Sequence, residues 1–255
     1  MPSWDYLDID LWSVADVRRP GALARIGGVL DAFAEFKPDH VGSGEPVRRP
    51  LESAAVALGE TEAGLHRNPS PQTAFARRKP PKMALGWVGV ARPSPTLHPG
   101  HSIELSYQTK WFDSPRKLDR LATFFKALAE VWDAFYGRVL RFTSNDQMQL
   151  PVFDRELWDV HWLNYWGPGY VEYWGARLDR PGVRRERTTN GGVIIWAAGT
   201  PLEPIDGQPF RAALGRDVFV VGRARRGEPG ELVPSYEVHK RLAPGGDLWV
   251  RGMPA

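Results

Sequence analysis

The sequence contains no cysteine, which removes disulfide frameworks, thiol catalysis and cysteine-ligated zinc or iron–sulfur centres together. Any metal site would have to be assembled from carboxylates and the 6 histidines. No apolar run approaches the ~20 residues that a spanning helix requires. The opening segment MPSWDYLDIDLW has no basic start and carries Asp5, Asp8 and Asp10, unlike a secretory signal. These absences lead us to expect a cytoplasmic protein with no membrane association. Nucleotide-binding signatures are missing too: Gly27-Gly28 and Gly191-Gly192 lack both the G-x-G-x-x-G spacing and the GK[ST] ending that bring backbone N–H groups and a lysine to phosphates. There is no Gly-x-Ser-x-Gly nucleophile elbow.

What is present is an ordinary globular composition, 42% hydrophobic and 25% charged over 255 residues, enough for a sizeable core. The 11 Trp equal the 11 Phe and exceed the 7 Tyr, so much of the aromatic area is indole, which buries well but wants a partner for its N–H. The net charge of +3 is uneven: residues 1–64 hold 6 Lys/Arg against 11 Asp/Glu, leaving 27 against 19 for the rest. An acidic beginning in a basic chain of pI about 9.2 marks either a surface for a charged partner or a solvated face.

Tyr6 to Trp12 alternates with period two, placing Leu7, Ile9 and Leu11 on one face and Tyr6, Asp8, Asp10 and Trp12 on the other. The pattern predicts a half-buried strand. Helical spacing from Gly21 to Phe36, closed by Lys37-Pro38, predicts a helix. Residues 38–82 contain 7 prolines and read as a surface excursion with a short helix over Leu51 to Leu58. Strands are expected at Met83 to Ala91 and Ile103 to Thr109. Ser114-Pro115 then opens the clearest helix, with Leu118, Leu121, Phe125, Leu128, Trp132 and Phe135 on one stripe and Gly137 as its stop. Further strands are expected at Arg138 to Thr143, Val193 to Ala197 and Val218 to Val221. Strands in runs without regular β-α alternation predict a single α+β domain over 1–255, a mostly antiparallel sheet covered by a few helices.

Asp8 and Asp10 could together hold a divalent cation, or simply face solvent or a partner. His98-Pro99-Gly100-His101 sets two imidazoles around a turn, without a third ligand nearby. Asp154, Glu156, Asp159 and His161 could support acid–base chemistry, yet aromatic residues crowd the same segment, which suits a histidine satisfied inside a cluster. A metal-dependent hydrolase using His98, His101 and the Asp154 to His161 cluster is therefore the alternative to a binding protein. Arg184 to Arg187 and Arg223 to Arg226 are basic clusters without a nucleic-acid reading module; they read as solvated loops, and no nucleic-acid partner is expected.

The segment WDVHWLNYWGPGYVEYWG, containing Trp158, His161, Trp162, Gly167, Pro168, Gly169, Tyr170 and Trp174, and the later TNGGVIIWA, containing Asn190, Gly191, Gly192 and Trp196, resemble the bacterial immunity protein 52 family. That resemblance implies a protein that neutralises a cognate toxin, in related systems a restriction-endonuclease-like nuclease delivered by type VI secretion. It implies no enzymatic activity, no cofactor, no metal and no small-molecule substrate. Its residues are expected to define the fold, with Gly167-Pro168-Gly169 making a tight turn. The acidic strand carrying Tyr6, Asp8, Asp10 and Trp12 is then the expected toxin-binding surface, since nuclease inhibitors complement a basic substrate groove.

Overall fold

The computed structural model describes residues 5–91, 100–143, 153, 155–157, 159–179, 183–220 and 228–245. Its frame is a 10-stranded sheet in the order β3-β2-β4-β5-β6-β1-β7-β8-β10-β9, with every neighbouring pair antiparallel. The strands are β1 (Asp5–Ser13), β2 (His40–Gly42), β3 (Arg49–Pro50), β4 (Gln72–Arg77), β5 (Met83–Gly89), β6 (His101–Gln108), β7 (Ala134–Thr143), β8 (Leu163–Trp166), β9 (Arg184–Arg187) and β10 (Val193–Trp196). The helices are α1 (Ala22–Ala32), α2 (Ala54–Ala63), α3 (Pro115–Val131), α4 (Pro168–Trp174), α5 (Gln208–Leu214) and α6 (Tyr236–Leu242). This is the expected α+β class.

The alternation of β1 explains its place at the sheet centre. Leu7, Ile9 and Leu11 are fully buried and join Leu23, Ile26 and Leu30 of α1 with Leu121, Phe124, Phe125 and Leu128 of α3 in one core. At ~1.5–3 kcal/mol for each fully buried large apolar side chain, this layer dominates the stability. The opposite face carries a second core, in which Trp12 and Tyr136 meet Trp166, Tyr170, Trp174 and Phe210. It is covered by the short helices from the C-terminal part of the chain.

The structure departs from the sequence reading at several elements. Helix α3 ends at Val131, with Trp132 as its C-cap, and the chain reverses through Asp133 at φ 48°; Phe135 therefore belongs to β7. Gly137 is not a helix stop. It sits in the middle of β7 because a Cβ there would lie 2.4 Å from Leu11 Cδ2 and 3.2 Å from Phe125 Cζ, so only glycine admits the packing of α3 on the sheet.

Residues 38–82 are more than an excursion: β2 and β4 extend the sheet, and Ala54, Ala57, Leu58 and Phe75 are buried. Helix α2 approaches α1 so closely that a Cβ on Gly27 would stand 2.4 Å from the Ala54 carbonyl carbon. Gly167-Pro168-Gly169 opens α4, with Gly167 as N-cap and Pro168 at its first position, a use of proline that suits a helix start. Arg184 to Arg187 form the edge strand β9, exposed along its length. Around Phe219 the described chain makes a single parallel bridge to Leu157; Val221 and Arg223 to Arg226 lie outside the described residues.

Candidate functional site

Side chains directly opposite in an antiparallel pair share a face, so the register places a polar layer beside the second core. Asp10 stands between Glu104 on β6 and Arg138 on β7, and Asp8 between Ser106 and Leu140. Asp10 and Arg138 are both buried, and Arg138 Nε donates to Asp10 Oδ2 at 2.8 Å. The Arg138 guanidinium also lies 5.5 Å from the Trp12 ring centre, a cation–π distance, and 3.5 Å from His161 Nε2. Burial, with the nearby Arg138 charge, holds the His161 pKa well below the ordinary value, so this imidazole is neutral. Its backbone is fixed by Asn164, which accepts from His161 N at 3.0 Å and donates to His161 O at 2.7 Å.

Away from this ion pair the layer opens toward solvent. Asp8 and Glu104 are half-buried; Arg138, whose hydrogen bond goes to Asp10, and the side-chain hydrogen bonds of Ser106 and Ser102 offset their burial only in part. Burial first, then the Asp10 charge, pushes Asp8 up to about 7; the same two causes raise Glu104. Asp8 Oδ1 has no hydrogen-bond partner among the described residues. Around these carboxylates stand the half-buried apolar groups Tyr6, Leu85, Trp87, Leu140 and Phe142, with Trp87 opposite Glu104 and Phe142 opposite Tyr6. Two under-compensated carboxylates in an aromatic surround are suited to accept a cationic or hydrogen-bond-donating side chain.

The expected row Tyr6, Asp8, Asp10, Trp12 is therefore split. Tyr6 and Asp8 reach the half-buried face, whereas Asp10 and Trp12 are 5% exposed because Arg138 and the second core close over them. Glu104 and Trp87 join the site through strand pairing, which local alternation in β5 and β6 could not reveal. Their signal was the acidic and aromatic residues on strands that also carry strong apolar alternation.

Among the described residues, those of the hydrolase alternative do not converge. His101 is buried and edges Trp132 at 5.8 Å in the core under α3, while His161 contacts Arg138 on the other face of the sheet. Asp159 accepts from Arg211 at 2.8 Å and from its own neighbour, Val160 N, at 2.8 Å. His98 and Asp154 lie outside the described residues. Among the described residues no group of at least 3 His, Asp or Glu is placed to hold a metal ion, and no helix is long and apolar enough to cross a membrane.

The described tryptophans of the signature are interior. Trp162 lies in the first core, and Trp166, Tyr170 and Trp174 in the second, with Trp166 and Trp174 edge-on at 5.1 Å. Asn190 Oδ1 accepts from Tyr165 Oη at 3.0 Å and Thr188 Oγ1 at 2.7 Å. Gly191 turns at φ 86°, and a Cβ on Gly192 would lie 2.4 Å from Tyr165 Oη. Trp196 packs in the first core with the Arg184 guanidinium 4.2 Å from its ring centre. Trp158 lies outside the described residues.

No family model matches the chain, and no curated protein sequence does. Among solved structures, the chain is similar to the Pseudomonas aeruginosa T6SS protein PA0821, with a TM-score of 0.57 and 15% identity over 98% of this chain and 85% of that one. The likeness is one of fold.

Proposed function

We propose that this chain is an immunity protein of the immunity protein 52 type, which binds and neutralises a cognate antibacterial toxin in the cytoplasm of the producing cell. The toxin would be an effector of type VI secretion, with nuclease activity as the resemblance implies. Inhibition is stoichiometric, by protein–protein contact and without turnover. The observation that carries this reading is the fold likeness, over 98% of the chain, to a T6SS protein; the tryptophan-rich signature supports it independently.

Within this reading the toxin meets the open part of the sheet around Tyr6, Asp8, Trp87 and Glu104, while Asp10 and Trp12 hold that surface from beneath. A basic toxin groove would supply the cations that Asp8 and Glu104 lack. Because a cation lowers the Asp8 pKa from about 7, binding releases a proton, so affinity should strengthen between pH 6 and pH 8 and level off above. An affinity that weakens over that interval excludes Asp8 from the interface.

The direct test is co-expression with the toxin candidate encoded beside it. Growth rescue and a one-to-one complex are expected; rescue failing with every neighbouring product overturns the proposal. The double variant D8N/E104Q should keep its fold and lose at least about tenfold in affinity, the equivalent of one charge-assisted hydrogen bond. Unchanged affinity in a folded double variant moves the interface elsewhere.

A further inference from the structure

Three strands bring their charged ends to one rim of the sheet. Arg77 on β4 stands opposite Met83 on β5, and Met83 opposite Tyr107 on β6, so neighbouring chains here run ~4.8 Å apart. Arg78 and Lys79 follow β4 directly, Lys82 precedes β5, and Lys110 comes just after β6. All four are exposed, and none of them makes an ion pair among the described residues. Carboxylates of the adjoining segments are already engaged. Asp39 accepts from Arg78 N at 3.0 Å and from His40 Nδ1 at 2.6 Å; Glu35 pairs with Arg120, Asp31 with Lys37, and Asp113 with Lys117.

The backbone of this rim is pinned. Arg77 donates to Lys37 O at 2.5 Å and to Pro80 O at 3.2 Å, Gln108 N donates to Lys82 O at 2.9 Å, and Pro81 is buried. Gathering like charges costs stability through self-repulsion, and a fixed backbone holds these cations together. The edge strand β9 is different: Arg184 pairs with Asp119, Arg185 with Asp179, and Glu186 with Lys126, so most of its charge is answered within the chain. Protein partners are held by buried aromatic or apolar anchors, but the exposed large apolar residues Val56, Tyr173 and Leu202 belong to other segments. Flexible cations without such an anchor suit a partner held by charge alone, as a phosphodiester backbone is. Trp111, next to Lys110, is half-buried with Lys117 over its ring at 4.7 Å, so base stacking has little to add.

We propose that the rim carrying Arg78, Lys79, Lys82 and Lys110 binds the phosphate backbone of a nucleic acid without reading its sequence. The absence of a nucleic-acid partner expected from Arg184 to Arg187 and Arg223 to Arg226 does not extend to this rim. The site stands independently of the immunity reading.

The test titrates the full chain into a fluorescein-labelled oligothymidylate, and into a random-sequence duplex, by anisotropy at several salt concentrations. Binding to either probe supports the site, and for the single strand log K should fall against log salt with a slope of about −3, at ~0.7 for each of four phosphate contacts. The variant R78Q/K79Q/K82Q/K110Q should lose at least about tenfold in affinity and most of that slope. The control R25Q/R48Q/R67Q/R177Q removes the same charge from exposed positions elsewhere and should stay within about threefold of the parent. K82Q/K110Q should lose about half the slope and serves if the quadruple variant fails to fold. Absence of binding to both probes at low salt, equal losses in the rim and control variants, or an unchanged slope in K82Q/K110Q overturns the proposal. Polyglutamate that displaces the labelled probe as well as unlabelled oligothymidylate at matched charge also overturns it, in favour of an acidic protein.

Discussion

At the scale of single residues the sheet centre is governed by one buried ion pair. Removing Arg138 leaves Asp10 charged and uncompensated, so R138M should cost about 3–5 kcal/mol in urea unfolding. The double variant D10N/R138M should recover part of that loss, and a double variant as unstable as R138M alone would contradict this account. Asp8 acts in the opposite sense. Its folded pKa of about 7 lies above the ordinary 3.8, so between those values the unfolded chain ionises while the native one holds its proton. Stability therefore falls as pH rises from about 4 to 7 and is flat above. The loss is on the order of 4 kcal/mol from the size of the shift. D8N should flatten this dependence and be the more stable protein at pH 7.5.

Among the elements, α1 and α2 cap each other. Asp31 near the end of α1 accepts from Ala54 N at 3.0 Å and Ala55 N at 3.1 Å, at the start of α2. Glu62 near the end of α2 accepts from Gly21 N at 2.6 Å and Leu23 N at 2.8 Å, at the start of α1. Each carboxylate thus satisfies orphan N–H groups and faces the positive end of a helix dipole. D31A and E62A should each cost about 1–2 kcal/mol by thermal or urea unfolding at pH 7. Burial would raise the Asp31 pKa, but Ala54, Ala55, Lys37 and Ser53 outweigh it and hold it below the ordinary value. Its contribution is therefore present above the ordinary carboxylate pKa and disappears as pH falls through the lowered one. A D31A penalty that persisted at pH 2 would refute the capping role.

Among the described residues, the open sheet ends in two edge strands, the places where a sheet can pair with other chains. One edge is β3, only 2 residues long and containing Pro50; the other is β9, whose sequence is Arg-Arg-Glu-Arg. The charges that first read as loop decoration thus guard an edge. Replacing Arg185 and Arg187 by threonine should raise concentration-dependent association, read by light scattering, with the helical content unchanged. Association no greater than in the parent would show that the edge is protected by other means.

Local patterning in the sequence was enough for the α+β class and for the faces of β1 and α3, because period-two and period-3.6 apolar patterns are local and survive any tertiary arrangement. It could not place the end of α3, since the stripe of apolar residues continues into a strand that is buried on both faces, and Gly137 reads equally as a helix stop and as a strand position beneath packed side chains. Nor could it tell that Asp10 and Trp12 are covered while Asp8 stays partly open. That depends on Arg138, Glu104 and Trp87 arriving from other strands. Burial and charge compensation are properties of neighbours in space, and only the folded sheet supplies those neighbours.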